Sequence, residues 1–408
     1  MVTTKPKKMR TAYFLFIFFL LIGCTEKGKG EKPAKTLNWY KGNLHTHSYW
    51  SDGDEFPEVI LDWYKANEYN FLALSDHNTI ARDEKWVTIS EDTLRQKAFQ
   101  TYLKEYGSDW VNHKVDSGRT MVRLKTFEEY SGRVQEEGKF LVIPSEEITD
   151  RYEDKHIHMN ATNIQEMIEP QGGNSVLEVM QNNIDQVLEQ RRTTGVPIIP
   201  HINHPNFYYS IDLEDMIALK GERFFEVYNG HPAVHNMGDS THISTEEMWD
   251  IININYLAEG KPMMYGLAND DSHNYHRKGK KWSNAGRGWV MVQADTLSAI
   301  KLINALEAGD FYSTTGVELK EVQFENNVLN VEVDVEEDIE YKIEFIGCKK
   351  GDSQTQSFKT VKGEKAQFSL ESDILFVRAK ISSTALQDNP VENMVYEMAW
   401  TQPVRPED

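Results

Sequence analysis

Apolar and polar positions follow two rhythms along this chain, and the change falls near residue 317. Before it, short apolar runs alternate with stretches whose apolar residues recur three and four apart. That is the pattern of buried strands joined by amphipathic helices. Asn70 to Ser75 reads as a strand, and Pro57 to Ala66 as a helix with Val59, Ile60, Trp63 and Tyr64 on its apolar face. Phe140 to Pro144, Val196 to Pro200, Phe224 to Tyr228 and Met263 to Ala268 read as further strands. Val176 to Arg192 is a clear amphipathic helix ended by Gly195, and Ser298 to Ala308 is a helix capped by Gly309. The opening is one βαβ unit, so the expected fold is α/β, with chemistry at the strand C-termini. Ile80 to Gly138 breaks the rhythm. It is polar, mixed in charge and helical over Glu91 to Tyr106, with Trp86, Trp110 and Tyr130 as apolar anchors. It reads as an inserted subdomain, serving either packing or as a substrate lid. From residue 317 to 408 the period becomes two, as in Leu329 to Val335, Tyr341 to Ile346 and Leu375 to Ile381. That predicts a small C-terminal β-sandwich without catalytic motifs, a packing or positioning module toward a partner or glycan.

The N-terminus has another character. Lys5, Lys7, Lys8 and Arg10 precede an apolar run from Thr11 to Ile22. The run is shorter than the roughly 20 residues a spanning helix needs, and fits a secretory signal peptide over residues 1–23. Leu21-Ile22-Gly23-Cys24 resembles a bacterial lipobox, which implies cleavage before Cys24 and its lipidation. Residues 24–36 read as a flexible tether. Thr25 stands where an inner-membrane retention signal usually has Asp, so the expected address is a lipid-anchored cell envelope, at the outer membrane. The other cysteine is Cys348, which leaves no disulfide and no cysteine-rich metal site. Removing residues 1–23 takes four cations and no acid, moving the formal charge from −20 to −24. Such a surface repels phosphate backbones, so no nucleic acid partner is expected.

The polar residues cluster at predicted strand ends. His45 and His47, two apart, would share one face of a strand and could grip one ion. Asp52 follows in a Ser-Asp-Gly turn, and Asp76-His77-Asn78 sits just past the next strand. His-Thr-His, Ser51-Asp52-Gly53 and Ser75-Asp76-His77-Asn78 resemble the opening of the polymerase-and-histidinol-phosphatase (PHP) metallohydrolases. The resemblance implies a distorted (β/α)7 barrel over residues 37–316, with two or three divalent ions at its C-terminal mouth. It implies further ligands in Glu147, with Glu146 as rival; His158, with His156 beside it; His204 before Pro205, with His201 as alternative; and Asp271 and His273, with Asp270 as neighbour. By resemblance His45, His47 and Asp271 hold one ion, His158 and His204 a second with Glu147 bridging, and Asp52, His77 and His273 a third.

Six imidazoles and three carboxylates suit Zn, Mn or Fe better than Mg or Ca. Ions so bound make hydroxide from water at neutral pH. Asp76 would orient a ligand. His276, Arg277, Lys278, Lys280, Lys281 and Arg287 form the basic cluster of an acidic chain and would hold an anionic group such as phosphate. Asp76 and Arg287 are therefore candidate catalytic residues, and Asn78, Glu226, Asn229, His231 and Lys281 candidate contacts to a small-molecule substrate. The expected activity is metal-dependent hydrolysis of a small phosphorylated molecule. The alternatives are a carbamate, ester or amide hydrolase of the same fold, or a non-catalytic binding lipoprotein. A full ligand set argues against the last.

Overall fold

The computed structural model describes residues 36–407. The signal-like run, Cys24 and the expected tether up to residue 35 lie outside them. Strand β1 (Asn38–Asn43) is followed by helix α1 (Pro57–Ala66) and strand β2 (Phe71–Leu74). Pro57 opens α1, where its missing N–H costs nothing, and Ile60, Leu61 and Tyr64 carry its buried face. The insertion comprises β3 (Trp86–Thr88), α2 (Thr93–Tyr106), β4 (His113–Asp116), β5 (Arg119–Arg123) and α3 (Phe127–Val134). Next come β6 (Leu141–Tyr152), β7 (Lys155–Thr162), α4 (Val176–Thr194), β8 (Ile199–Ile202), α5 (Leu213–Ala218) and β9 (Phe224–Asn229). Then follow α6 (Thr245–Ala258), β10 (Tyr265–Asn269), β11 (Trp289–Ala294), α7 (Ala299–Ala308) and β12 (Phe311–Thr314). The chain ends in strands: β13 (Leu319–Glu325), β14 (Val328–Val333), β15 (Tyr341–Lys349), β16 (Gln356–Lys362), β17 (Lys365–Ser369), β18 (Ile374–Leu386) and β19 (Tyr396–Thr401).

The fold is mixed α/β. Its large sheet runs β10-β9-β8-β7-β6-β2-β1-β11-β12-β19-β18-β15-β16. Strands β1, β2 and β6 are parallel, as are β8, β9 and β10, while β7 runs against both its neighbours. Beyond β10 the backbone returns to the segment after β1. His45 O accepts from Asp271 N, and His47 N donates to Ser272 O, both at 2.9 Å. This parallel bridge, Thr46 with Ser272, brings the two flanks of the β1-to-β10 stretch together at one rim.

Three expectations need correction. The strand at Phe140 does not stop at Pro144; β6 continues through Glu146 and Glu147, because residues 145–152 pair with 155–162 in a hairpin. The reversed β7 then delivers His158 from the middle of the strand, not from a strand C-terminus. The insertion packs its Phe99, Tyr102, Val122 and Tyr130 with Phe56, Ile60 and Tyr64 around α1. Trp110 Nε1 donates to Glu58 at 2.6 Å, and Tyr102 also bonds that carboxylate. Past residue 316 the strands do not form a free-standing sheet pair: β19 pairs with β12, so β18, β15 and β16 extend the large sheet. β13, β14 and β17 form a separate three-stranded sheet. Phe368 from that sheet meets Phe345 and Phe358. Arg378 of β18 anchors to α6 through Asp250 (2.7 Å) and Glu246 (3.1 Å). Among the described residues no helix is long and apolar enough to cross a membrane.

Candidate metal centre

The rim where the sheet returns on itself carries the polar residues. His47 N reaches Ser272 O, Ser75 N reaches Thr46 O (2.9 Å), Glu147 N reaches Asp76 O (3.2 Å) and Asn203 N reaches His158 O (3.1 Å). Backbone bonds thus continue the sheet's spacing beyond the regular strands and hold each polar segment at a fixed offset from the next. His204 and Asp271 have positive φ, 24° and 50°, which turns their side chains out of the strand direction.

All nine side chains named as ligands fall into one cluster. Four sets draw on them alone: His47, Asp52, His77 and His273; His45, His204 and Asp271; His45, His47 and Glu147; His77, Glu147 and His158. Within each, the potential ligand atoms lie within 4.8 Å of one another. His45 Nε2 and His47 Nε2 are 3.1 Å apart and sit 3.3 and 3.2 Å from Asp271 Oδ1. Glu147 is the centre: Oε1 lies 3.3 Å from His45, 3.2 Å from His158 and 3.6 Å from His204, and Oε2 lies 2.6 Å from His77 Nδ1. Glu147 Oε2 is buried and, among the described residues, makes no contact with hydrogen-bond geometry, close as His77 is. Asp52 is 59% exposed and His77 24%, so the cluster opens to solvent on their side.

The electrostatics follow from burial and crowding. Burial pulls the His47 imidazole down to about 3, helped by His273 and His77. Burial likewise lowers His158, against the pull of Glu147. Burial opposes protonation of His77, but Glu147 and Asp52 outweigh it and hold the ring up to about 11. Burial also disfavours the Glu147 and Asp271 carboxylates, yet surrounding imidazoles keep both well below the usual range. Ionised carboxylates interleaved with imidazoles, which release their protons when a cation binds, are the donor set a divalent transition ion requires. The residues present therefore fit such ions.

The other candidates land differently. Glu146 points away from the cluster; its Oε1 accepts from Ile168 N at 2.6 Å. His201 is fully buried beside Glu226 at 3.8 Å. Asp76 accepts from Ser48 N (2.7 Å), Ser48 Oγ (2.7 Å) and Ser51 Oγ (2.6 Å), so it fixes the loop between His47 and Asp52. Arg287 is not at the cluster. Its guanidinium is buried and spent on carbonyls of Gly230, Trp282, Gly279 and Asn389. The basic run does not converge either: His276 pairs with Glu55, Arg277 with Asp92, and Lys280 with the Glu392 carbonyl, while Lys281 is exposed. Asn78 is used in tying Thr149 by two backbone bonds. Glu226 and Asn229 are wholly buried behind the ligands, out of a substrate's reach. His231 stays half-buried at the rim, its ring 5.6 Å from that of His273. Asn203 was not foreseen. It donates to Glu147 Oε1 (2.7 Å) and Asn160 Oδ1 (2.9 Å), and nothing in the His-Ile-Asn-His-Pro run marks it.

No protein-family profile and no curated protein matches the chain. Solved structures do resemble it. One is a two-domain protein from Bacteroides vulgatus containing a predicted PHP-like metal-dependent phosphoesterase. It is 13% identical, covers 87% of this chain and 92% of that one, and has a TM-score of 0.39. A second, described as a metal-dependent phosphoesterase from Bifidobacterium adolescentis, is 10% identical over 65% of this chain and 94% of its own, with a TM-score of 0.31. An amidohydrolase from Chromobacterium violaceum with bound sulfate and no metal is 12% identical over 66% and 96%, with a TM-score of 0.29. At these values the likeness is general, and function is read from the cluster's own chemistry.

Proposed function

We propose that this chain is a metal-dependent hydrolase built on a distorted (β/α)7 PHP barrel, acting as a phosphoesterase on a small phosphorylated molecule. The observation that carries the reading is Glu147: one buried carboxylate within 3.6 Å of imidazole nitrogens from His45, His158 and His204 on one oxygen. His47 (3.5 Å) and His77 (2.6 Å) face its other oxygen. Histidines gathered this densely in a buried site repel one another when protonated, a cost that bound cations offset.

His45, His47 and Asp271 would hold one ion, His158 and His204 a second with Glu147 shared, and Asp52, His77 and His273 a third. When bound, Mn, Zn or Fe supplies Lewis acidity that lowers the pKa of water and neutralises charge on a phosphoryl or carbonyl group. The chain's own groups do the rest. Asn203 fixes the Glu147 carboxylate, Asp76 holds the His47–Asp52 loop, and the exposed Asp52–His77 side admits substrate. We propose further that the lipobox-like segment ends in an acylated Cys24, anchoring the enzyme to the cell envelope.

Purified protein loaded in turn with Mn²⁺, Zn²⁺ and Fe²⁺ and offered phosphate mono- and diesters, carboxyl esters, amides and carbamates tests this. Turnover of a phosphate ester is expected. Turnover confined to the carboxyl or carbamoyl substrates would keep the hydrolase and reject the phosphoesterase.

A further inference from the structure

We propose that Glu226 is a positioning residue on which the geometry of the whole metal centre depends. This rests on the hydrolase reading and gives one residue in it a defined task. Glu226 lies mid-strand in β9, in the run FFEVYN, and is completely buried. Its Oε1 lies 2.7 Å from His45 Nδ1 and accepts from Asn269 Nδ2 at 3.0 Å. Its Oε2 accepts from the His204 backbone N–H at 2.9 Å and from Asn229 Nδ2 at 2.7 Å. Asn229 in turn donates to Asp271 Oδ2 at 3.2 Å, and Asn269 Oδ1 accepts from Leu44 N, just before His45, at 3.0 Å. Three ligands from three segments, His45, His204 and Asp271, thus hang on one carboxylate.

An apolar side chain of similar volume would serve a buried strand as well or better, since a buried charge costs several kcal/mol in desolvation even when paired. The ligands supply the reason for a carboxylate. A proton held on His45 Nδ1 leaves Nε2 as a bare lone pair, and Nε2 is the atom facing His47 Nε2 and Asp271 Oδ1. A carboxylate on the far nitrogen fixes both the ring's orientation and the tautomer a cation needs.

Glu226→Gln tests it. Whichever way the amide turns, its NH₂ meets donors: His204 N–H and Asn229, or Asn269 and His45 Nδ1–H. Cobalt titration followed by visible absorption and by dialysis should show affinity lowered about 10–100-fold, at more than one ion position. Glu222→Gln is the burial-matched control. Glu222 is also buried in the β9 region, but its bonds go to Arg223 N and Phe224 N. Its cobalt affinity should stay within about threefold of wild type. Wild-type uptake with unchanged affinity in Glu226→Gln would overturn this inference and leave the hydrolase reading standing. No cobalt uptake by wild type would overturn both. If Glu226→Gln does not fold, nitrogen NMR of the zinc-loaded wild type decides: a proton on His45 Nδ1 supports the proposal, and a bare Nδ1 sinks it.

Discussion

Glu146 and Glu147 are neighbours in β6, and replacing each by Gln should have opposite consequences. Their side chains take opposite faces of the strand. Glu146 is buried with only Ile168 N for a partner, its Oε2 is unbonded, and burial pushes its carboxyl up to about 8 from 4.5. At pH 7 it is mostly protonated, so Glu146→Gln exchanges one neutral planar group for another. The folded chain keeps a proton that the unfolded chain releases above 4.5, so this group's contribution is present below that pH and lost as pH rises toward 8. One pKa unit corresponds to about 1.4 kcal/mol, which gives an upper figure of about 5 kcal/mol across the window. Glu146→Gln lacks this penalty. Relative to wild type it should gain stability steadily from pH 5 to pH 8 and then level off, with metal content unchanged. Glu147→Gln puts an amide N–H where imidazoles converge and should lose metal and turnover. Urea unfolding at pH 5 to 9, with metal measured on the same samples, reads both. A pH-independent stability difference for Glu146→Gln would refute the burial argument. Metal loss in Glu146→Gln but not in Glu147→Gln would refute the register.

Asp270 accepts from Tyr64 OH (2.6 Å) and from the backbone N–H groups of Gly286 (2.9 Å), Arg287 (2.6 Å) and Gly288 (2.9 Å). Asp270→Asn turns a donor toward donors and should cost about 2–4 kcal/mol in thermal or urea unfolding; a change below about 0.5 kcal/mol would contradict that role. Tyr208 is 63% exposed at a positive φ of 50°, its ring next to Phe207, which itself lies against His204. A bulky residue held in that conformation beside a site points to use by ligand. Tyr208→Ala should lower kcat/KM for aryl esters about tenfold relative to alkyl esters, the loss of one stacking contact of roughly 1.4 kcal/mol; an equal effect on both would count against it. Cys24→Ser should abolish acylation and release the chain from membranes, and a variant that stays anchored with its N-terminus uncut would refute lipidation.

Much of the fold was legible because period alone fixes it. Helices α1, α4 and α7 lie within a few residues of their apolar patterns, and Gly195 and Gly309 end two of them at left-handed φ, 68° and 80°. The apolar run ends at Pro144, so period alone closes β6 there. In the hairpin Glu146 and Glu147 are divided between a buried pocket at Ile168 and the cluster, so polarity did not mean exposure. The reversal at β7 was invisible because apolar runs carry no direction. Arg287 belongs to a charge run in sequence, yet it is buried among carbonyls of its own loop and of the distant Gly230 and Asn389, which no local pattern reveals. Glu226 gave a real signal, a carboxylate inside an apolar strand. Its place toward the strand's C-terminal end suggests a substrate contact, but in the fold four donors from the ligand segments occupy it instead.

The cluster around Glu147 is built to hold transition ions. Elemental analysis of protein purified without chelator, then supplemented with Mn²⁺, Zn²⁺ or Fe²⁺ and dialysed, tests it most directly. At least about two tightly held ions per chain are expected, falling on Glu147→Gln. Fewer than about one ion per wild-type chain after supplementation would contradict this.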